Sequence, residues 1–310
     1  MEDCKKAGIL LVLYNEERYI EKLVNSILNQ SYKNISVYAL DNNSSDSSAG
    51  LLGKLLPDAY LHLSEENLGF AKANNLLAEK AIKNKEDYLF ILNTDMELDI
   101  DCVMNLVEII SADENLAGAG PIIFYGTDNV RTSDVQSYAD ITNFSNARTR
   151  TLYSGTGLDF DQLPEKVDVN TLHGGGFMIR SKIVSEIGLF NEDNFMYNDE
   201  IDLAYRIHRL NKKLLVTKKA KAWHYHDWSK RNRAGYFLQY YYINRNRILF
   251  FYRYKKYFSI INQIISEILL LPVRISWAIR TVSIKLLKYY YLGYIHGLLN
   301  RKGKAKIEFK

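Results

Sequence analysis

The stretch at residues 88–98 limits the possible folds of this chain more than any other. Five apolar or aromatic residues, Tyr88–Leu92, are followed at once by polar residues that include Asp95 and Glu97. Such a run is typical of a strand buried on both faces of a parallel sheet, and ligands bind where strands of open α/β sheets end. The acids therefore predict a site for a hard divalent cation with a diphosphate. The alternative is that these polar residues only cap a helix predicted after Ile100.

Two earlier segments place this strand in a strand-helix-strand pattern. Residues 9–13 and 35–40 are apolar runs of strand length, and residues 17–29 between them carry apolar side chains at helical spacing. This βαβ unit predicts an α/β fold whose mixed, mostly parallel sheet is flanked by helices. Because no G-x-G-x-x-G sequence separates the first strand from its helix, the dinucleotide-binding fingerprint is absent.

A second dense stretch lies at residues 173–206. Three successive glycines at 174–176 let the backbone approach a ligand closely, or make an ordinary turn. Asp199, Glu200 and Asp202 begin a predicted helix, where the helix dipole also favours carboxylates for purely structural reasons.

Taken together, these motifs resemble family 2 glycosyltransferases of the GT-A fold. The resemblance rests on Tyr-Asn-Glu at 14–16, Asp-Asn-Asn-Ser at 41–44, Asn-Leu-Gly-Phe at 67–70, Asn-Thr-Asp at 93–95 and the 173–206 stretch, and it is closest to the bacterial rhamnosyltransferase-like branch. It implies a metal-dependent, inverting transfer of a sugar from a nucleotide-diphosphate donor, dTDP-rhamnose or a UDP-sugar. The implied acceptor is a hydroxyl of a glycan or lipid-linked molecule in cell-surface polysaccharide synthesis.

The resemblance also implies roles for individual residues. The nucleotide-sugar donor is expected to contact the residues that follow the early strands, with Tyr14 stacked on the base and Asp41 bonded to the base or ribose: Tyr14, Asn15, Glu16, Asp41, Asn43, Asn67, Gly69, Asn74 and Asn93. Asp95 is expected to bind Mg²⁺ or Mn²⁺, with His224 as a further ligand or as an ordinary structural histidine. The acceptor is expected to contact Gly174, Gly175, Gly176 and Asp202. The alternative role of Asp202 is to orient a loop or an arginine. The general base is either Glu200 or Asp199, with Glu200 favoured.

The expected domain organisation follows from motifs and charge. Residues 1–228 form a GT-A catalytic domain, with a nucleotide-sugar half at 1–98 and an acceptor half at 99–228. The polar residues 126–170 are predicted to form excursions around the acceptor side, or a plain solvated insertion. Residues 229–310 carry 17 Lys and Arg against two acids, a net of +15, whereas residues 1–228 carry 23 and 34, a net of −11. We expect an anionic partner for this basic, aromatic, helical C-terminal region.

The partner that the C-terminal region favours is an anionic membrane surface. Apolar stripes at helical spacing, one at residues 260–268 and one at 275–286 flanked by Arg274, Lys285 and Lys288, are typical of interfacial helices. Packing on the catalytic domain or a homodimer is the alternative, whereas nucleic acid is not expected because no matching motif is present. Glu267 and Pro272 interrupt the longest apolar stretch, so a spanning helix is not expected.

The predicted location is cytoplasmic, peripheral on the inner face of the plasma membrane. Two cysteines give no disulfide framework, and the acidic N-terminus does not look like a secretory signal. Two other functions stay open, a sugar nucleotidyltransferase and a non-catalytic carbohydrate-binding protein on the same fold. The Tyr-Asn-Glu-Glu sequence after the first strand disfavours the former, because a nucleotidyltransferase needs a glycine-rich basic loop there. Gln239-Tyr-Tyr-Tyr-Ile likewise does not supply the Gln-x-x-Arg-Trp motif of a processive synthase.

Overall fold

A computed structural model describes residues 5–127, 130–225, 233–281 and 284–309. Its centre is one sheet that holds the described strands: β1 Ala7–Leu13, β2 Ile35–Asp41, β3 Tyr60–Leu63, β4 Tyr88–Leu92, β5 Met96–Leu98, β6 Leu116–Thr127, β7 Val130–Asn143, β8 Arg148–Gly155, β9 Lys166–Val169, β10 Gly176–Arg180 and β11 Lys213–His224. The described helices are α1 Glu17–Leu28, α2 Ser48–Leu55, α3 Gly69–Lys83, α4 Cys102–Ser111, α5 Ser181–Ile187, α6 Asp199–Arg209, α7 Arg233–Arg253, α8 Tyr257–Thr281 and α9 Ile284–Leu298.

The sheet confirms the predicted mixed, mostly parallel α/β arrangement in its first half. The strand order is β3-β2-β1-β4-β10-β6-β11-β5, with β3, β2, β1 and β4 paired in parallel and β10 antiparallel to β4. All five residues of β4 are buried, as the apolar run predicted. The carboxyl ends of β1, β2 and β4 therefore lie side by side at one edge.

Helices cover both faces of this sheet. Successive residues of β1 alternate between two cores, Leu10 facing one and Ile9 and Leu11 the other. Residues of α3, α5 and α6 contribute to the first core, and residues of α1, α2 and α4 to the second.

The polar segment at residues 126–170 is largely strand, so the prediction of loop excursions was wrong there. β7 pairs with the edge of β6 and β8 pairs with β7, which satisfies their backbone groups. The segment reads as polar because β8 has an exposed face.

The C-terminal helices pack on the remainder of the chain. Ile201 of α6 shares a buried cluster with Ile248 of α7 and Tyr290 of α9, and Phe195 shares another with Phe237. The division at residue 228 stays a prediction, and the residues around it, 226–232, lie outside the described part of the chain.

The two apolar stripes do not form the two helices that the sequence predicted. Residues 260–279 lie on the single helix α8, whereas Leu286, Lys285 and Lys288 belong to α9, and Val282 lies outside the described residues. Arg274 therefore does not share one helix face with the two lysines.

Helix α8 also corrects the expectation that its apolar stretch is too interrupted to cross a membrane. Pro272 lies inside the helix without ending it. Among the described residues, the segment Tyr257–Arg280 is long and apolar enough to span by length and composition, with 17% of its apolar window buried.

Candidate active site

The loops after β1 and β2 are joined by hydrogen bonds. Asn15, in a left-handed conformation with φ 58°, donates its main-chain N–H to Ser44 Oγ at 3.0 Å and accepts from Ser45 N at 2.8 Å. Asp41 Oδ2 accepts from Ser44 N at 3.0 Å. Tyr14 beside them is 49% exposed and so offers a ring face to a ligand.

The loop before α3 joins the same edge through Asn42, a residue to which the sequence analysis gave no role. Asn42 accepts a hydrogen bond from Leu68 N at 2.6 Å and donates to Gly69 O at 3.3 Å. Asn67 Oδ1 accepts from Gly69 N at 2.9 Å. The buried Asn42 therefore holds the predicted residues Asn67 and Gly69 in place, whereas the predicted Asn43 is exposed.

Two of the predicted donor residues make contacts with the backbone. Asn74 is buried in α3 and donates to Phe70 O at 3.0 Å. Asn93 donates its main-chain N–H to Gly175 O at 2.9 Å, which ties the end of β4 to the glycine run.

The predicted metal ligands come together. His224 Nε2 lies 3.1 Å from Asp95 Oδ2, and both residues are buried. Antiparallel pairing of β11 with β5 aligns His224 with Met96, the neighbour of Asp95, so two residues far apart in sequence meet. His224 Nδ1 lies 3.0 Å from Gln136 Oε1. Within the described residues no three His, Cys, Asp or Glu side chains gather into a metal-binding group.

Glu16 adds a further carboxyl beside this pair. Burial, followed by the charge of Asp95, raises the pKa of Glu16 to about 8. Its Oε2 atom is buried and has no hydrogen-bond partner among the described residues. A bound cation would relieve this repulsion between carboxylates, so the donor set fits a divalent ion that takes oxygen and nitrogen ligands.

Glu97 does not accompany Asp95, contrary to the expectation that both acids face the ligand. Its carboxylate accepts a hydrogen bond from the hydroxyl of Tyr225 and pairs with Arg131 at 3.0 Å and with Lys22 at 3.8 Å. The helix-capping alternative also fails for Asp95, because β5 separates it from α4, whose N-cap residue is Asp101.

The two candidate bases occupy different surroundings. A Cβ atom at Gly174 would lie 3.5 Å from Glu200 Oε2, so the Glu200 carboxyl faces the glycine run. Asp199 is 1% exposed, and its Oδ1 atom accepts a hydrogen bond from Asn194 at 3.1 Å. Burial raises the pKa of both acids, with the charge of Asp140 contributing for Glu200 and that of Glu200 for Asp199.

Asp202 is fully buried and bound by cations. It accepts from Arg206 Nε at 2.9 Å, from the Arg253 guanidinium and from the Tyr254 hydroxyl at 3.1 Å. Its role in acceptor binding stays a prediction, and these contacts match the other expectation, that Asp202 orients an arginine.

Helix α7 holds the loop that precedes the candidate bases, a contact for which the sequence has no signal. Phe195, Tyr197 and Asn198 of this loop have φ values of 62° to 67°, which side chains rarely adopt. The Asn246 amide donates to the carbonyls of this loop at 2.7 to 3.1 Å, and those carbonyls belong to Asn194, Met196 and Tyr197. Arg245 donates to Asn194 O at 2.7 Å.

Two further residues of the site were missed as functional residues. His173 lies with its ring centroid 6.1 Å from that of His224, and burial lowers its pKa to about 4. Asp140 acts on Glu200 and on His173 through its charge, and accepts hydrogen bonds from Ser137 at 3.1 Å and Thr151 at 2.5 Å. Nothing in the local sequence marks Asp140, because its surroundings depend on how β7 pairs with β8.

The carboxyl edge of the parallel strands brings acids, a glycine run and an acidic helix start together, as a ligand site of an α/β fold would. The Glycosyl transferase family 2 domain matches residues 9–188. The chain therefore belongs to glycosyl transferase family 2, which confirms the family, though not the branch, that its motifs resemble.

Curated relatives agree with the family. An uncharacterized glycosyltransferase of Haemophilus influenzae is 33% identical over 91 residues, which is 28% of this chain and 35% of that protein. One from Rickettsia prowazekii is 24% identical over 205 residues, 66% of this chain and 59% of that protein. The poly-beta-1,6-N-acetyl-D-glucosamine synthase of Staphylococcus aureus is 22% identical over 72% of this chain and 50% of its own length. Each match spans less than two thirds of the relative.

Solved structures confirm the GT-A fold. GalNAc-T7, solved with UDP, GalNAc and Mn²⁺, matches with TM-score 0.62 and 15% identity over 81% of this chain and 48% of its own. Residues 1–349 of S. aureus TarS match with TM-score 0.54 and 16% identity over 94% of this chain and 80% of theirs.

Proposed function

We propose that this protein transfers a sugar from a nucleotide-diphosphate donor to a hydroxyl acceptor, with inversion at the anomeric carbon. The observation that carries the proposal is that the Asp95–His224 pair and the Glu200 carboxyl are connected through one glycine run. Asn93, two residues before Asp95, donates its main-chain N–H to Gly175 O, and the Glu200 carboxyl faces the neighbouring Gly174.

The donor side of the proposal uses the locked loops after β1 and β2. In this proposal Tyr14 stacks on the base and Asp41 bonds the base or ribose. The remaining predicted donor residues shape the same edge. The sugar is rhamnose from a dTDP donor, as the rhamnosyltransferase-like motifs suggest, or one carried by UDP. GalNAc-T7, a relative by fold, binds UDP with Mn²⁺.

Asp95 and His224 would hold the divalent ion, Mg²⁺ or Mn²⁺. An imidazole ligand suits Mn²⁺ better than Mg²⁺. When bound, the ion neutralises charge on the departing diphosphate as a Lewis acid. The carboxyl groups of Asp95 and Glu16 would face the ion, and His224 is oriented by Gln136 through its second ring nitrogen.

Glu200 is the base in this proposal. It takes the proton of the acceptor hydroxyl as the acceptor oxygen bonds to the anomeric carbon. The bond from that carbon to the phosphate oxygen breaks at the same time, and its electron pair leaves with the diphosphate. Burial and Asp140 raise the pKa of Glu200 toward that of an effective base. Asp199 instead supports the loop through Asn194, which makes it the second choice.

The acceptor is a glycan or a lipid-linked molecule in cell-surface polysaccharide synthesis, at the inner face of the plasma membrane. The similarity to a polysaccharide synthase supports this acceptor class. A homodimer is compatible with the same site. A sugar nucleotidyltransferase is disfavoured because the loop after β1 is closed by side-chain contacts of Asn15 and has no glycine-rich phosphate loop.

The test measures turnover and thermal shift with UDP-, dTDP- and GDP-sugars, each with Mn²⁺, Mg²⁺ or a chelator. Wild type is compared with Asp95→Asn, Glu200→Gln and the exposed control Glu79→Gln. We expect one donor to stabilise wild type and Glu79→Gln with metal, and to lose this effect with Asp95→Asn. Glu200→Gln keeps donor binding but loses about 10²- to 10⁴-fold in kcat. Binding without turnover under all conditions would favour the non-catalytic carbohydrate-binding alternative.

A further inference from the structure

Helix α8 has its polarity arranged opposite to that of a helix on a water-exposed protein surface. Two of its polar residues, Gln263 and Glu267, are each 6% exposed, whereas the smaller Asn262 and Ser266 lie on the exposed side. Its aliphatic residues instead face outward, with exposed fractions from 37% to 73%: Ile261, Ile264, Ile265, Ile268, Leu269, Leu270, Leu271, Val273, Ile275 and Ile279. Helices that face water normally show the reverse pattern.

Gln263 and the Oε1 atom of Glu267 form hydrogen bonds with residues of α9. Gln263 donates to Glu267 at 3.1 Å and to the Tyr294 hydroxyl oxygen at 2.9 Å. The Tyr290 hydroxyl donates to Glu267 at 2.9 Å, and Arg274 Nε lies 3.7 Å from the other Glu267 oxygen. The acid in the middle of α8 therefore does not interrupt its outward aliphatic surface.

The surroundings of this surface indicate which partner covers it. Exposed basic residues flank α8, Lys255 before it, Arg280 near its end, and Lys285 and Lys288 on α9. Exposed aromatic residues, Tyr257 at 56% and Phe258 at 75%, begin the helix. Aliphatic surface bordered by cations and aromatic rings complements a membrane leaflet with anionic headgroups.

We propose that α8 lies in the plane of an anionic leaflet, with its aliphatic side in the hydrocarbon and its Gln263–Glu267 side against α9. The in-plane orientation follows because α8 packs along α9, which is held to the catalytic part through α7. This inference is independent of the proposed transfer, because lipid contact requires neither Asp95 nor Glu200.

The test is flotation of the full chain with vesicles of phosphatidylcholine alone or mixed with phosphatidylglycerol. The test variant, Ile265→Asp with Leu269→Asp, changes two outward residues that are 50% and 73% exposed. The control, Leu28→Asp with Leu152→Asp, changes exposed leucines of the catalytic part. Wild type and control should float with the anionic vesicles, and the test variant should lose about tenfold in bound fraction while keeping the far-UV spectrum and Tm of wild type.

Three results would overturn the proposal. Equal flotation of the test variant and the control would show that α8 does not contact lipid. A lipid-free dimer that the test variant converts to monomer, with no flotation of wild type, would assign the surface to a second copy of the chain. Retention of wild type in vesicles after alkaline carbonate extraction would show that α8 spans the bilayer.

Discussion

Arg245 Nη2 donates a hydrogen bond at 2.7 Å to the main-chain oxygen of Asn194, 51 residues earlier in the chain. The same guanidinium donates to Gly303 O, so one buried cation joins α7, the loop before the candidate bases and the C-terminal segment. This contact therefore supports the backbone from which Asp199 and Glu200 begin α6.

Removing the Asn246 amide should loosen this loop. Asn246→Ala removes the amide that bonds the Met196 and Tyr197 carbonyls, whereas Asn194 O keeps its bond from Arg245, and we expect the free energy of unfolding to fall by about 2 to 4 kcal/mol. The kcat for sugar transfer should fall by about tenfold or more, because the base shifts relative to the acceptor. Urea denaturation and initial rates measure the two effects. Asn262→Ala on the exposed side of α8 is the control, and a kcat equal to that of the control would contradict the positioning role.

The charge of Asp140 should be visible in the pH dependence of turnover. Asp140 raises the pKa of Glu200, and a base acts only when deprotonated, so kcat should rise with pH through that pKa. Asp140→Asn keeps an oxygen that can accept from Ser137 and Thr151 but removes the charge, which should move the acidic limb of the profile to lower pH. The exposed Asp168→Asn is the control. If the acidic limb of Asp140→Asn stays at the pH of wild type, then either Glu200 is not the base or Asp140 does not raise its pKa.

Glu16 should make the metal-free protein less stable as pH rises. Burial and Asp95 raise the pKa of Glu16 from 4.5 to about 8, so the folded state holds a proton that the unfolded state has released. The free energy of unfolding should therefore fall between about pH 4.5 and about pH 8. Glu16→Gln removes this contribution. As pH rises across the same window, the urea midpoint of the variant should therefore increase relative to that of wild type. Parallel midpoints for the two proteins would show that Glu16 ionises normally.

Gly69 should tolerate no side chain. It has φ of 81°, and a Cβ atom there would lie 2.4 Å from the ring of Phe195. We expect Gly69→Ala to cost about 2 to 4 kcal/mol and to weaken donor binding, because it separates the loop before α3 from the loop before α6. Gly50→Ala in α2 is the matched control, since that position is open and alanine should stabilise the helix by about 0.5 to 1 kcal/mol. Thermal unfolding of both variants measures the contrast, and similar Tm values would refute it.

Local patterns determined much of the fold. The apolar runs of β1 and β4 predicted buried strands, because a strand covered on both faces needs apolar residues at every position. The glycine run and the polar strand ends predicted which segments would meet, since the carboxyl ends of parallel strands share one edge. The family resemblance followed from the same short motifs.

Contacts between distant segments could not be predicted in this way. β7 and β8 are polar in sequence and become strands because β7 pairs with β6 and β8 pairs with β7. The orientation of Asp202 depends on Arg253, which reaches it from α7. The inward orientation of the Glu267 side chain depends on the hydrogen bond that Tyr290 of α9 donates to it. In each case the sequence determines the period and chemistry of a segment, but only the folded chain determines which partner satisfies its polar groups.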